Sequence, residues 1–139
     1  MAAGLPTRIL IIEDTVQFAE LVQVALRHLD AELYHVVYAS DALSAIERFR
    51  PDIVLLDIGL PDMDGWHLLD QLRQEPALSD KAHAILVVTA YGDAANRLIG
   101  KLQGVDGYLT KPCTMQEIRA AVTDALQLLD TAGLSDSRA

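Results

Sequence analysis

The chain has 139 residues, of which 51% are hydrophobic, and a formal net charge of −9, values that fit one acidic globular domain and exclude a disordered chain. Its single cysteine, Cys113, excludes an internal disulfide and favours a reducing, cytoplasmic compartment. We expect neither a nucleic acid nor a membrane as direct partner, because the chain lacks a basic surface, an export signal and an apolar run long enough to cross a bilayer.

Five short apolar runs predict β-strands, at residues 8–12, 33–37, 52–56, 84–88 and 105–109. Apolar residues at helical spacing predict five helices that include residues 18–29, 42–49, 68–72, 98–102 and 118–129. Pro51 and Gly104 mark the ends of the second and fourth helices, and the sequence TMQE at 114–117 is a capping box that opens the fifth.

The alternation of strands and helices predicts the α/β class, with a parallel sheet covered on both faces. Five such units suit a small doubly wound sheet, which binds ligands at the carboxyl ends of its strands. We expect the domain to span residues 8–130. Residues 1–7 would be an N-terminal extension, and residues 131–139 a frayed C-terminal tail or linker stub.

Polar residues follow four of the predicted strands: Glu13 and Asp14 after strand 1, Asp57 after strand 3, Thr89 after strand 4 and Lys111 after strand 5. Each alone fits a helix cap or a solvated side chain. Parallel strands bring them to one edge, however, where three carboxylates repel each other unless a cation or protons neutralise them. Oxygen-only ligands indicate Mg²⁺. A carboxylate beside this metal, an ammonium and a hydroxyl is a plausible phosphoryl acceptor, which favours Asp57 as nucleophile.

Four motifs, ILIIEDT, DIVLLDIGLPDMDGW, ILVVTAY and GYLTKP, carry a family resemblance that runs from Arg8 to Leu129. In order and spacing they resemble the receiver domains of two-component response regulators. The resemblance implies a flavodoxin-like fold, a five-stranded parallel sheet of order 2-1-3-4-5 flanked by five helices.

The resemblance also implies a phosphoacceptor switch rather than an enzyme with its own substrate. Asp57 would accept a phosphoryl group from the phosphohistidine of a sensor histidine kinase or histidine phosphotransfer protein, or from a small phosphodonor, and would lose it slowly by autodephosphorylation. Asp14 would bind Mg²⁺ directly and Glu13 through water, with Asp57 and the carbonyl group of Gly59 as further ligands. Mn²⁺ would be able to substitute.

Around the phosphoryl group, the resemblance gives Thr89 and Lys111 the role of holding its oxygens, and it implies a cis Lys111–Pro112 bond that turns the lysine into the site. Thr89 and Tyr108 would be the coupled switch pair: the hydroxyl moves towards the phosphoryl group and the ring turns inward. We further hypothesise that Gly59 and Tyr91 tune the lifetime of the phosphoaspartate, with the Tyr91 ring limiting access of water.

The output surface implied by the resemblance consists of the fourth and fifth predicted helices with strand 5, and its partner would be a downstream protein or a second copy. Mixed charges lie on these elements: Arg97, Lys101, Asp106, Glu117 and Arg119. Ala121 stands where receivers that pair in transcription factors are expected to carry an arginine, which argues against a homodimer of that type.

Three functional alternatives differ in class. The first is the phosphoacceptor switch, either as a stand-alone receiver or as a fragment of a longer regulator or hybrid kinase; we expect no output domain in these 139 residues. The second is a flavodoxin-like nucleotide- or flavin-binding protein, which the acidic loop EDTVQ after strand 1 disfavours. The third is an adaptor that signals without phosphorylation, although all five site positions are filled.

Overall fold

The apolar runs form one parallel sheet. The computed structural model describes residues 5–138, and the side chains of residues 5–131. The strands are β1 (Thr7–Ile12), β2 (Ala31–Val36), β3 (Ile53–Leu56), β4 (Ala84–Thr89) and β5 (Gly107–Thr110). Their order is β2-β1-β3-β4-β5 and every pairing is parallel. The α/β class and the expected flavodoxin-like strand order are thereby confirmed.

The described residues contain six helices rather than the five expected. They are α1 (Val16–Ala25), α2 (Ala39–Phe49), α3 (Gly65–Arg73), α4 (Pro76–Ser79), α5 (Ala94–Gln103) and α6 (Met115–Arg138). The additional helix, α4, is a single turn that starts with Pro76 in its first turn. Four residues are too few to show a helical period, so hydropathy could not reveal it. The fourth and fifth predicted helices are therefore α5 and α6.

Both ends of the ordered fold extend beyond the predicted bounds. β1 begins at Thr7, inside the segment assigned to the N-terminal extension, where the Thr7 amide donates to the carbonyl group of Asp30 (3.1 Å). The last helix continues to Arg138, through most of the predicted tail. Residues 131–138 contain no proline, and one glycine costs a helix only about 1 kcal/mol. Residues 1–4 and 139 lie outside the described residues.

Helices cover both faces of the sheet because alternate strand residues point to opposite sides. On one face, Leu10 and Ile12 pack in a cluster with residues of α2, α3 and α4. On the other face, Ile9 and Ile11 pack with residues of α1 and α6. The two cores leave the carboxyl edge of the strands free for polar side chains. Among the described residues, no helix combines the length and the hydropathy that a bilayer crossing requires.

Local signals in the sequence account for several helix ends. Gly104 ends α5 in the left-handed conformation (φ 69°), and Arg50 does the same after α2 (φ 50°). The capping box before α6 is confirmed: the Glu117 amide donates to Thr114 Oγ1 (3.1 Å) and the Thr114 amide donates to Glu117 Oε1 (3.0 Å).

Candidate functional site at the carboxyl edge of the sheet

The register of the central strands brings three carboxylates together. Ile12 of β1 pairs with Leu56 of β3, so the next residues, Glu13 and Asp57, emerge side by side. The Asp57 amide donates to the carbonyl group of Ile12 (3.0 Å). One carboxylate oxygen from each of Glu13, Asp14 and Asp57 lies within 4.8 Å of the other two. Glu13 is 2% exposed and Asp57 7%, whereas Asp14 is exposed, so the cluster is open to solvent on one side.

Lys111 reaches this cluster from the end of β5. Its amide donates to the carbonyl group of Thr89 (2.8 Å), which continues the pairing of β5 with β4. Its Nζ atom donates to Glu13 Oε1 (2.6 Å) and to Asp57 Oδ2 (3.0 Å). The peptide bond between Lys111 and Pro112 is cis. One ammonium thus bridges two of the three carboxylates and leaves the cluster with a net negative charge.

Burial and hydrogen bonding shift the pKa values of Glu13 and Lys111 in opposite directions. Desolvation raises the pKa of Glu13, and its hydrogen bonds to Lys111 and the Thr15 amide offset this effect only in part. Burial by itself lowers the pKa of Lys111, but the hydrogen bonds to Glu13 and Asp57 outweigh it, so the pKa lies above the ordinary 10.5. The two carboxylates therefore favour the charged form of Lys111, whereas burial disfavours the charged form of Glu13.

The loop between β3 and α3 shapes the wall beside Asp57. The Gly59 amide donates to Asp57 Oδ1 (2.9 Å), and the Gly65 amide donates to the carbonyl group of Ile58 (3.0 Å). A Cβ atom at position 65 would lie 2.2 Å from the Ile58 Cα atom. Only glycine permits this approach, and it presses the start of α3 against the residue that follows Asp57.

The predicted switch residues surround the next loop, between β4 and α5. Thr89 is fully buried, and its Oγ1 accepts a hydrogen bond from the Tyr91 amide (3.3 Å). The Tyr108 hydroxyl donates to the carbonyl group of Tyr91. Arg97 lies over the Tyr108 ring, 5.2 Å from its centroid, and donates to Thr110 Oγ1 (2.7 Å). Thr89 and Tyr108 are thus joined through the backbone of Tyr91.

Two aromatic residues make contacts that the sequence did not indicate. Trp66 donates from Nε1 to Asn96 Oδ1 (2.9 Å) and stacks against Tyr108, with ring centroids 6.5 Å apart. The ring of Phe18, one of the apolar residues that predict α1, has Lys111 Nζ 4.4 Å from its centroid. Helical periodicity marks such positions as core but carries no signal for which polar group they touch.

The donor set fits a hard cation. All the candidate ligands in the cluster are carboxylate oxygens, the type that Mg²⁺ and similar ions prefer, and Asp14 leaves one side accessible to solvent and ligands. The raised pKa of Glu13 shows that burial disfavours its charge, which a bound cation would offset. The cluster is therefore a candidate site for a metal ion.

Comparisons with known proteins agree with this architecture. The sequence profile of the response regulator receiver domain matches residues 9–123. The probable transcriptional regulatory protein TcrX of Mycobacterium tuberculosis is 37% identical over 118 residues, which are 84% of this chain and 48% of that protein. The chain spans about half the length of the curated relatives it matches.

Solved structures give the same result. The signal receiver domain of a putative Luxo repressor protein from Vibrio parahaemolyticus has a TM-score of 0.85 and 27% identity, covering 94% of this chain and 98% of that one. A putative response regulator from Chloroflexus aurantiacus has a TM-score of 0.78 and 32% identity, covering 88% and 98%. Together with the profile match over most of its length, these likenesses show that the chain belongs to the receiver domain family of two-component response regulators.

Proposed function

We propose that this receiver is a phosphorylation-driven switch in which Asp57 accepts the phosphoryl group. The observation that carries the proposal is the bridge from Lys111 to Glu13 and Asp57 beside the exposed carboxylate of Asp14. This arrangement supports the proposal because the carboxylate proposed as nucleophile lies beside a cation and beside carboxylates able to bind a metal.

In the proposed reaction, a carboxylate oxygen of Asp57 attacks the phosphorus of a phosphohistidine, on a sensor histidine kinase or a histidine phosphotransfer protein. The new bond joins this oxygen to phosphorus, the phosphorus–nitrogen bond breaks, and the electron pair leaves with the imidazole, which takes up a proton. Lys111 moves from the Asp57 oxygen to a phosphoryl oxygen, and Thr89 donates from Oγ1 to another. The family likeness and the contacts of both side chains support these roles.

The proposed cofactor is Mg²⁺, with Mn²⁺ able to replace it. Asp14 and Asp57 would bind it directly, Glu13 through water, and the Gly59 carbonyl group would complete the protein ligands. When bound, the ion neutralises charge on the phosphoryl oxygens as they approach. The chain's own part is to hold Asp57 in place, through the Gly59 amide on one oxygen and Lys111 on the other.

We propose that the output surface is formed by α5, β5 and α6. Most of the charged side chains on this surface, which suggested partner contacts, make hydrogen bonds within the chain. Arg97 donates to the carbonyl group of Gly92 and to Thr110, and Arg119 donates to the carbonyl group of Ala25. Asp106 accepts from the Ile85 amide, and Glu117 caps α6.

Apolar contact with a partner is better supported. Leu98 and Leu102 lie one turn apart on α5 and are 56% and 78% exposed. They suit an apolar patch on a downstream protein or a second copy.

Phosphorylation by a small phosphodonor tests the central proposal. We expect incubation with acetyl phosphate and Mg²⁺ to add one phosphoryl group, acid-stable and base-labile, detected by intact mass. Asp57→Asn and removal of the metal with a chelator should each abolish it. Asp64→Asn is the matched control, because the Asp64 side chain makes no capping hydrogen bond. A wild-type protein that stays unmodified would overturn the proposal and favour an adaptor that signals without phosphorylation.

A further inference from the structure

The ammonium group of Lys111 is held by three groups rather than two. Glu13 and Asp57 accept its hydrogen bonds at 2.6 and 3.0 Å, and the face of the Phe18 ring lies 4.4 Å from Nζ to centroid. Phe18 belongs to the first turn of α1, which begins just after the acidic pair. The helix therefore brings an aromatic face to the carboxyl edge of the sheet, where the carboxylates lie.

A ring and a carboxylate hold an ammonium in different ways. The negative face of the ring quadrupole attracts the cation without requiring a particular N–H direction, and the attraction grows when the pair is partly desolvated. Lys111 meets that condition, since its side chain is 17% exposed. A lysine ammonium on a flexible stem can therefore rotate its donors from one acceptor to another while it stays over the ring.

We propose that Phe18 is a positioning residue for Lys111 during phosphoryl transfer. The inference rests on the proposed function, in which the ammonium leaves the Asp57 oxygen and donates to the arriving phosphoryl group. Once a metal and a phosphoryl group occupy the carboxylates, the ion pairs that hold Lys111 in the present structure weaken. The Phe18 ring is the contact that persists, and it keeps Nζ within reach of the phosphoryl oxygen.

Phe18 also has a packing role, which the test must separate from the charge effect. It is half-buried and packs against the core cluster that contains Ile11 and Val22. Truncation to alanine would disturb this core as well as the cation contact. Fluorinated phenylalanines keep the shape of the ring and progressively weaken the attraction of its face for a cation, so they isolate the electrostatic contribution.

The experiment places phenylalanine with one, two or three ring fluorines at position 18 and measures the rate of phosphorylation by acetyl phosphate with Mg²⁺. We expect the rate to fall stepwise, to a total loss of about three- to tenfold, the range that a partly desolvated cation–π contact gives. The same series at Phe49 is the control. The ring centroid of this second phenylalanine lies 5.7 Å from Arg8 Cζ, away from the site. Its fluorination should leave the phosphorylation rate unchanged.

A second measurement does not depend on activity. In urea unfolding, fluorination at position 18 should lower the midpoint when Lys111 is present and have no such effect in Lys111→Met, which keeps an apolar stem without the charge. Equal shifts in both backgrounds would show a packing role and overturn the inference. Unchanged phosphorylation rates across the series would also overturn it, while leaving the proposed function intact. A wild type that is never phosphorylated would instead refute the proposed function.

Discussion

The ring of Tyr91 lies directly over Gly59. A Cβ atom at position 59 would come within 2.5 Å of Tyr91 Cε2 and within 3.5 Å of Asp57 Oδ1. Tyr91 is 53% exposed, so its ring covers the loop between β3 and α3 from the solvent side. The two residues that the sequence suggested as a lifetime-tuning pair are therefore in contact beside the proposed phosphoacceptor.

We predict that Tyr91→Ala accelerates the loss of the phosphoryl group. Removing the ring opens a path for water to the phosphorus, and we expect hydrolysis to be faster by about three- to tenfold, a decrease of ~0.7–1.4 kcal/mol in the barrier. Autodephosphorylation of the purified phosphoprotein measures the rate. Tyr34→Ala, which removes a partly exposed tyrosine on β2, is the control. An unchanged rate in Tyr91→Ala would contradict the role.

We predict that, in the absence of metal, Glu13 makes the folded state less stable as the pH rises. Burial raises its pKa above the ordinary 4.5, so the folded state favours the protonated form. The resulting stability is fully present below pH 4.5 and is lost as the pH rises through the folded pKa. We expect Mg²⁺ to restore stability at neutral pH by binding the folded state.

Urea unfolding across this pH range, with and without Mg²⁺, checks the prediction. Glu13→Gln should flatten the decline and reduce the gain from Mg²⁺, because the amide carries no charge to desolvate. Glu20→Gln, a change at an exposed position of α1, should behave as the wild type. If the free energy of unfolding falls with pH at the same slope in Glu13→Gln and in the wild type, Glu13 is not the source of the effect.

Asp62 caps a helix from another part of the chain. The residue before α2, Tyr38, provides no side-chain cap; instead Asp62 accepts from the amides of Ala39 (3.0 Å) and Ser40 (3.1 Å). We predict that Asp62→Ala lowers the urea midpoint because it leaves these amides and the positive helix end without a partner. Asp64→Ala, which removes no such bond, should have a smaller effect.

The contribution of Asp62 should disappear in acid. The hydrogen bond from the Ala39 amide lowers the pKa of Asp62 below the ordinary 3.8. Its stabilisation is therefore present above pH 3.8 and is lost as the pH falls through the folded pKa. The urea midpoints of the wild type and Asp62→Ala should therefore converge in acid. A constant difference between them down to the lowest pH would rule out a charge-dependent cap.

The hydrogen bond from Trp66 to Asn96 ties α3 to the start of α5. Trp66→Phe keeps an aromatic ring but removes the donor, and Asn96→Ala removes the acceptor. We predict a coupling free energy of about 1 kcal/mol in a double-mutant cycle of urea unfolding, the typical net value of such a bond. The cycle is needed because Asn96 also donates to Asp93 (2.9 Å). Additive effects of the two changes would show that the contact contributes no stability.

The fold and most of the candidate site follow from local patterns. Apolar runs locate the five strands, and the site residues that follow four of these runs are placed by the strands themselves. Because parallel strands end at one edge, Glu13, Asp57 and Lys111 were expected to meet, and they do so within hydrogen-bonding distance. The single turn of α4 escaped this reasoning because it is too short to show a period, and the last helix runs to Arg138, beyond its predicted end.

The contacts between side chains from distant segments were decided by the tertiary structure. Asp62 lies shortly before α3 in the sequence, yet it caps α2, 23 residues earlier in the chain. Phe18 counted only towards the apolar period of α1, yet its ring faces the ammonium group of Lys111. Trp66 donates a hydrogen bond to Asn96, a contact that no local pattern indicated. Periodicity records which face of a helix is buried, a property of each helix alone. The partner that a side chain meets depends on how two elements dock and which rotamers fit between them, and no single stretch of sequence contains that information.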